Sequence, residues 1–265
     1  MIPKRSAFRL CAALLSLVAL AAACGGDGDE ENGASPTGQA SPAASGTAAG
    51  SGTPGFSTPD SSGNLFGNGG FEDGRGPWYS LKPPDFALST DKAHSGDASA
   101  HLELRAGEGS LETDIRYLVQ EISPEEWPEF ISGNYFVENW KKNTKNQYLQ
   151  FVVIVFNPDN LPECPDGKKC PNYQIRYLLA GIDEDPFPIL NAKFVYLSKE
   201  APKEGEWVPF QRDLREDFLN AWGAVPRNFE KIRVLFEVRY DAKLSNEGPL
   251  EADVYYDDLH IGAKQ

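Results

Sequence analysis

The sequence predicts an all-β sandwich domain, because apolar and polar residues alternate with a period of two in several separate segments. Val, Ile, Phe and Tyr fill the apolar positions, and Gly, Pro, Asn and Asp cluster between the segments. Successive side chains of a strand point to opposite faces of a sheet, so this pattern favours strands with a buried face. The alternating segments are 101–104, Leu149–Phe156, Tyr173–Leu179, Lys193–Leu197, Lys231–Tyr240 and Asp253–Ile261.

Individual elements follow from local pattern. Leu149–Phe156 is nearly all apolar, which predicts a central strand buried on both faces. Helix signals are few. Ser123 followed by Pro124 and by Glu126 three residues after the cap predicts a capping box and about one helical turn, which Pro128 would end. Leu214–Trp222, followed by Gly223, predicts a second short helix.

The chain begins with a pattern typical of a secretory signal. Lys4, Arg5 and Arg9 precede the uncharged 14-residue run Leu10–Ala23, which is too short to span a bilayer. Small residues directly before Cys24 resemble a bacterial lipoprotein signal, in which the thiol of Cys24 is lipidated after residues 1–23 are removed. The alternative is a plain secretory signal in which Cys24 has no role. Either interpretation predicts an extracytoplasmic protein, lipid-anchored to the bacterial cell membrane or secreted.

Residues 24–62 have the composition of a disordered tether. Gly, Ser, Ala, Thr and Pro dominate this segment, and its only apolar side chain larger than Ala, apart from Cys24, is Phe56. Such a segment cannot bury enough apolar surface to offset its conformational entropy. A coil of this length reaches about 35 Å on average, which would hold a domain away from a membrane. Residues 63–265 are then one β-sandwich domain.

The charge of the chain limits the class of partner. Its 25 Lys and Arg against 39 Asp and Glu give a net charge of −14, and three of the basic residues belong to the predicted signal. Nucleic-acid binding depends on Lys and Arg neutralising phosphates, so this composition opposes it. It also opposes contact with anionic lipid, and we expect attachment to the membrane through the lipid anchor alone.

Two cysteines remain in the domain, Cys164 and Cys170, on either side of a Pro-Asp-Gly turn. An oxidising compartment predicts a structural disulfide between them. Metal binding is the alternative, but two thiols without a nearby His make a poor zinc site.

Both ends of the domain resemble a known family. The matching segments are Asn64–Gly74, which is followed by Trp78, then Ser89–Leu102, and the closing strand Val254–Ile261. Together they resemble jelly-roll carbohydrate-binding modules of the galactose-binding-like superfamily, close to the family 4, 9 and 22 types. The resemblance implies a jelly-roll β-sandwich and a polysaccharide or glycan as partner. It covers mainly scaffold strands, so it specifies the fold better than the ligand.

The resemblance also implies a structural Ca²⁺ that joins the first and last strands. Carried over to this sequence, its ligands would be Glu72, Ser95 or a carbonyl beside it, and Asp257. Asp257 is preferred to Asp258 because it shares strand parity with Leu259. The alternative is that these carboxylates only accept hydrogen bonds.

Aromatic side chains are the candidate glycan ligands, because sugar C–H faces stack on Trp and Tyr. Trp127 and Trp222 lie in predicted loops or short helices, where exposure is most expected, and Tyr79 is the third candidate. The alternative for each ring is packing in the core.

No catalytic pattern appears in the sequence. It contains no Gly-x-Ser-x-Gly, phosphate-loop, HExxH or dinucleotide-binding motif. The sequence therefore predicts a non-enzymatic binding lipoprotein with carbohydrate as the ligand class. A protein-interaction or envelope-structural module is the second hypothesis. A glycoside hydrolase, the third, would need two facing carboxylates in a cleft.

Overall fold

The computed structural model describes residues 63–110, 112–164 and 166–264. The predicted signal 1–23, the lipidation candidate Cys24 and the tether 24–62 lie outside the described residues. Ten strands and one helix form the domain: β1 (Ala87–Ser89), β2 (Ser99–Ala106), β3 (Asp114–Ile122), β4 (Phe130–Lys141), β5 (Asn146–Phe156), β6 (Asn172–Ala180), β7 (Ala192–Tyr196), β8 (Trp207–Asp213), α1 (Leu214–Trp222), β9 (Lys231–Asp241) and β10 (Leu250–Gly262).

The strands form two five-stranded sheets that pack face to face. Sheet I has the order β1-β2-β10-β4-β8, and sheet II has the order β3-β9-β5-β6-β7. Every pairing is antiparallel except that of β6 with β7. Strands β2, β3, β4 and β5 alternate between the sheets along the chain. The predicted jelly-roll β-sandwich is confirmed, and each predicted alternating segment falls on a strand, although β2, β5 and β10 extend two or three residues beyond the predicted bounds.

Strand β5 lies at the centre of sheet II and is buried on both faces, as its apolar sequence predicted. Its inward side chain Phe151 stacks on Tyr177, with ring centroids 4.4 Å apart, and also contacts Phe210 of sheet I. Burying one such aromatic side chain stabilises the fold by about 1.5–3 kcal/mol. The core between the sheets is therefore aromatic at its centre.

The two ends of the domain lie side by side. The backbone N–H of Leu65 donates to the carbonyl of Ile261 at 2.8 Å. The side-chain amide of Asn64 donates to the carbonyl of Leu259 at 2.9 Å, while its oxygen accepts from the N–H of Ile261. A Cβ atom at Gly69 would lie 2.0 Å from the Leu259 carbonyl oxygen, so only glycine fits there. The opening segment, residues 64–69, is thereby held against β10.

One of the two predicted helices is present. Helix α1 spans Leu214–Trp222, begins at the N-cap Asp213, whose side chain accepts from the N–H of Glu216, and ends at Gly223 with φ 79°. The prediction of a helical turn at Ser123–Glu126 is wrong, because residues 123–129 form an irregular link between β3 and β4. Trp127 draws this link into the core, where its ring packs on Phe218 of α1.

The predicted disulfide between Cys164 and Cys170 is present, with Cα atoms 5.4 Å apart. A turn inside the ring is closed by a hydrogen bond from the N–H of Gly167 to the carbonyl of Cys164, at 2.8 Å. Cys170 is fully buried against the main core, so the bond fixes this loop to the sandwich. Within the part of the chain that the structure describes, no helix has the length and apolar character needed to cross a membrane.

Candidate functional site

The structure corrects the expectation that Trp127 and Trp222 are exposed. Their side chains are only 6% and 8% exposed, and both belong to the main core. Trp127 packs between Phe218 and Phe229, and Trp222 packs on Tyr173. Helical spacing explains the burial of Trp222, because it lies four residues after the buried Phe218 on the same face of α1. Neither ring offers the open face that sugar stacking requires.

Tyr79, the third candidate, is half-buried at the edge of sheet II. It forms an antiparallel bridge to Val119 of β3, with the N–H of Tyr79 donating at 3.1 Å and the N–H of Val119 donating back at 2.9 Å. Its side chain packs beside Tyr117 against apolar residues on the outer face of sheet II. Burial, and then the nearby Glu121, raise the pKa of the Tyr79 phenol.

The outer face of sheet II carries an unusual set of polar side chains. One residue from each strand lies in register across the sheet, in the order Tyr117, Glu237, Gln150, Leu178 and Tyr196. The next row runs from Val119 to Phe194 and includes Arg176 on β6. We call this surface the sheet II face; its functional candidates are Tyr79, Tyr117, Tyr148, Gln150, Arg176, Phe187, Phe194, Tyr196, Glu237, Arg239 and Asp241.

Arg239 organises the acidic groups of the sheet II face. Its Nε donates to Oδ2 of Asp241 at 3.0 Å, Nη2 donates to Oδ1 of the same carboxylate, and Nη1 donates to Oε2 of Glu237 at 3.2 Å. The hydroxyl of Tyr148 donates to Asp241 at 2.6 Å. Burial alone would lower the pKa of Arg239, but Tyr148, Glu237 and Asp241 raise it above its ordinary value. Both carboxylates are therefore bound to one permanent cation.

Two neighbouring side chains keep polar atoms without a partner. The side-chain amide of Gln150 donates to Glu237, but its Oε1 accepts no hydrogen bond from any residue that the structure describes. Arg176 donates from Nη2 to Gln174 at 3.0 Å, whereas its Nε and Nη1 atoms are buried and unpaired among the described residues. Buried polar groups are nearly always hydrogen-bonded, and each one left unpaired costs about 1–3 kcal/mol. A polar ligand that paired with these atoms would recover part of that cost.

Aromatic rings lie at both edges of the sheet II face. Tyr79 and Tyr117 are half-buried on the β3 side, and Phe194 and Tyr196 are half-buried on β7. Burial and the charge of Glu237 raise the pKa of Tyr117 to about 12, so its hydroxyl stays a hydrogen-bond donor at neutral pH. Strands are about 4.8 Å apart, so the distance from β3 to β7 is about 19 Å. The face can therefore hold an extended ligand with apolar contacts at each end and polar contacts in the middle.

Phe187 covers the two arginines. Its ring centroid is 5.4 Å from the guanidinium carbon of Arg176 and 5.4 Å from that of Arg239. The ring also packs edge-on against Phe194, with centroids 5.8 Å apart. Phe187 lies in the segment between β6 and β7, so this crossover supplies one wall of the sheet II face.

The predicted calcium ligands come together at the opposite sheet, beside β10. A Cβ atom on Gly70 would be 3.9 Å from Oδ1 of Asp257 and 4.0 Å from Cγ of Glu72, so the two carboxylates flank Gly70. Asp257 is fully buried, as its strand parity predicted. Ser95 donates through its backbone N–H to Oδ2 of Asp257 at 3.1 Å, but its hydroxyl donates to Asp258 at 2.5 Å.

Both of these carboxylates accept backbone N–H groups. Glu72 accepts from Asp97 and Ala98 at 3.0–3.1 Å, and Asp257 also accepts from His94 at 2.7 Å. Calcium would take the same oxygens as ligands, so its binding would have to replace some of these hydrogen bonds. Across the described segments, no group of three His, Cys, Asp or Glu side chains is placed to hold a metal ion. Calcium at Glu72, Ser95 and Asp257 stays a prediction.

Sequence reasoning found Tyr79 but missed the polar centre of the sheet II face. One signal was present in the alternation of Lys231–Tyr240, which places Arg233, Glu237 and Arg239 together on the face opposite the core. The other was Gln150, the single polar residue in the apolar run of β5. Phe187 gave no signal, because its position depends on how the crossover from β6 to β7 folds back.

No protein-family model matches the chain, and neither does any curated protein. Among solved structures, the chain is similar to TmCBM61, a carbohydrate-binding module in complex with β-1,4-galactotriose, with 12% identity, a TM-score of 0.41, and coverage of 76% of this chain and 99% of that chain. It is similar to the C-terminal family 22 carbohydrate binding module of Clostridium thermocellum Xyn10B, with 11% identity, a TM-score of 0.39 and coverage of 77% and 96%.

A third similar structure is the β-1,2-glucanase from Parabacteroides distasonis, with 15% identity and a TM-score of 0.36. The match covers 72% of this chain but only 22% of the glucanase. The strand pairing of the present chain establishes its two-sheet architecture independently of these likenesses.

Proposed function

We propose that this protein is a non-catalytic carbohydrate-binding lipoprotein and that the sheet II face holds the glycan. The observation that supports this is the combination, on one outer sheet face, of half-exposed rings at both edges with buried polar atoms that lack partners. Sugar rings present apolar C–H faces for stacking and hydroxyl groups for hydrogen bonding, so they match both features. A hydroxyl can donate to Gln150 Oε1 and accept from Arg176.

A protein-docking function would call for a different kind of surface. Broad apolar patches typically mark such interfaces. The large apolar side chains that are more than one third exposed in the described segments are Leu81, Leu88, Leu190, Leu219 and Leu244. None of them lies on a strand of sheet II. The polar centre of the sheet II face favours a hydroxyl-rich ligand over an apolar protein surface.

The proposal includes a binding role without catalysis. A glycosidase needs two carboxyl groups that face each other across the substrate. On the sheet II face, Glu237 and Asp241 both bind Arg239, which lies between them on β9. Both carboxylates are thereby committed to an ion-pair network, and their arrangement suits positioning of polar groups better than bond cleavage.

The proposal also includes the location of the protein. Residues 1–23 act as a lipoprotein signal, Cys24 carries the lipid, and residues 24–62 tether the domain outside the cytoplasmic membrane. The disulfide between Cys164 and Cys170 supports an oxidising compartment, because such bonds rarely persist in the cytosol. Labelling with radioactive palmitate, compared between the native chain and Cys24→Ser, tests the anchor.

Glycan affinity of the Cys24→Ser chain, measured on a glycan array and then by calorimetry, tests the ligand class. We expect Tyr117→Ala to weaken binding of any retained glycan about tenfold, because it removes a ring and a hydroxyl donor from one edge of the sheet II face. The matched control is Trp207→Ala, which removes a half-buried ring from the outer face of sheet I.

Two results would contradict the proposal. If a folded chain retains no glycan, the carbohydrate function is wrong. If Trp207→Ala abolishes binding and Tyr117→Ala does not, the glycan binds to sheet I instead.

A further inference from the structure

The charges on the sheet II face are unevenly paired. Arg239 binds both carboxylates, through two bonds to Asp241 and one to Glu237. Arg176 lies on the same face, two strands away, and forms no ion pair with any carboxylate in the described ranges. Its one hydrogen bond goes to a neutral amide, Oε1 of Gln174. Arg239 is thus paired with carboxylates on this face, whereas Arg176 in the described ranges is not.

Arg176 cannot relieve this imbalance by losing its proton. A guanidinium stays charged in proteins, and a charge removed from water without a partner is costly. Desolvation by the surrounding side chains lowers the pKa of Arg176, although the charge of Glu237 opposes this. Among the described residues, the Nε and Nη1 atoms of Arg176 remain buried and unpaired, and the Phe187 ring packs over the guanidinium. A ligand that supplied a negative charge at this point would gain a charge-assisted hydrogen bond.

We propose that the sheet II face selects acidic glycans, and that Arg176 binds the carboxylate of a uronic acid unit. This inference rests on the proposed carbohydrate function and names the substrate class of the same site. The Phe187 ring turns aside to admit the carboxylate to Nε and Nη1, and the neighbouring Gln150 accepts a hydroxyl of the same sugar. Rings at the two edges hold the adjoining units of the chain.

The net negative charge of the protein does not exclude this ligand. At physiological ionic strength the Debye length is about 8 Å, so exposed acidic groups farther away are largely screened. The acidic groups closest to the arginines, Glu237 and Asp241, are already bound to Arg239. Glu237 and Asp241 act on Arg176 with a sign opposite to that of Arg239, so their effects on Arg176 partly cancel.

The experiment compares uronic acid oligosaccharides with the same oligosaccharides after carboxyl reduction, which converts each carboxylate to a primary alcohol. The probes are prepared from polygalacturonate, glucuronan and alginate, and affinity for the Cys24→Ser chain is measured by calorimetry. We expect at least one acidic probe to bind about tenfold or more tightly than its reduced form, the gain expected for a charged hydrogen bond.

Arg176→Gln should abolish that preference, because it removes the charge and keeps an amide group. Arg176→Lys should restore part of it, since the charge returns without the planar guanidinium. Phe187→Ala should increase the preference by uncovering Arg176. The matched control is Arg233→Gln on β9. Arg233 is already paired with Glu121 at 2.5 Å, so this variant should keep the preference for acidic probes. Circular dichroism and melting curves establish that each variant is folded.

Four outcomes overturn the inference. Equal binding of acidic and reduced probes by the native chain removes acidic selectivity but leaves the carbohydrate function in place. Preference that survives in folded Arg176→Gln assigns the carboxylate to another residue. If Arg176→Gln does not fold, the other two variants decide. A preference for acidic probes that is unaltered in both Arg176→Lys and Phe187→Ala likewise assigns the carboxylate to another residue. Absence of binding to every glycan, acidic or neutral, removes both this inference and the proposed function.

Discussion

At the scale of single residues, the polar groups of this domain differ in whether the fold completes their hydrogen bonding. Asp253 on β10 is 4% exposed and fully engaged: it contacts His101 at 2.8 Å and accepts from Arg105 at 2.6 Å and Asn139 at 2.7 Å. Gln150 and Arg176 on the sheet II face retain unpaired atoms. Asp253 therefore stabilises the fold, whereas the unpaired atoms leave bonding capacity for a ligand.

The lowered pKa of Asp253 makes the free energy of unfolding depend on pH. Burial would raise its pKa, but the hydrogen bonds from Asn139, Arg105 and His101 lower it below the ordinary value of 3.8. The folded state thus favours the charged form, so this contribution is complete above the unfolded pKa and is lost as the pH falls through the lower folded pKa. We expect Asp253→Asn to reduce the free energy of unfolding by about 2–3 kcal/mol at pH 7.

Urea unfolding at pH 7 and at pH values below 3.8 measures this effect, and the difference between native protein and Asp253→Asn should shrink in acid. Glu251→Gln is the control, because Glu251 lies on the same strand in an exposed pair with Lys141. If the difference in unfolding free energy between native protein and Asp253→Asn stays constant with pH, Asp253 stabilises the fold through packing and not through its charge.

At the scale of elements, local pattern predicted six of the ten strands in the described part of the chain but not what covers them. Period-two alternation gave β2, β5, β6, β7, β9 and β10, and the Leu214–Trp222 pattern gave α1. Local pattern could not predict that Trp127 is buried. Its burial depends on α1, which folds over the link between β3 and β4 and brings Phe218 against the indole. The sheet II face is likewise assembled from strands distant in sequence, so only Tyr79 among its rings was identified beforehand.

Close contact between the opening segment and β10 gives a sharp test at this scale. A methyl group at Gly69 would lie 2.0 Å from the Leu259 carbonyl oxygen, and neither backbone segment can yield easily. We expect Gly69→Ala to reduce the free energy of unfolding by about 1–3 kcal/mol. Gly70→Ala is the matched control, since a methyl group there meets nothing closer than 3.9 Å. Equal melting temperatures for the two variants would show that the opening segment is not held against β10 in solution.

At the scale of the whole molecule, the predicted calcium would join the two ends of the domain. Binding to the folded state alone, at a hundredfold excess over Kd, should raise the free energy of unfolding by about 2.7 kcal/mol. In a domain of this size, chelation with EDTA should then lower the melting temperature by about 5–10 °C. Asp257→Asn should remove this response, whereas Asp253→Asn should retain it.

The prediction is contradicted by a melting curve that EDTA leaves unchanged in a calcium-loaded sample. That result would mean that Glu72 and Asp257 serve only as acceptors for the turn at His94–Ala98. Glycan affinity should change little under mild chelation, because the predicted metal lies beside β10 of sheet I and the proposed ligand lies on sheet II.

The bridge between Tyr79 and Val119 has a consequence for self-association. Strand β3 is an edge strand of sheet II, and the free edge of a strand is a template for pairing with another chain. Tyr79 covers part of that edge by exchanging two backbone hydrogen bonds with Val119. At the other edge, β7 has only five residues. If the proposed lipid anchor held many copies close together on one membrane, these two edges of sheet II would therefore offer little template for pairing between copies.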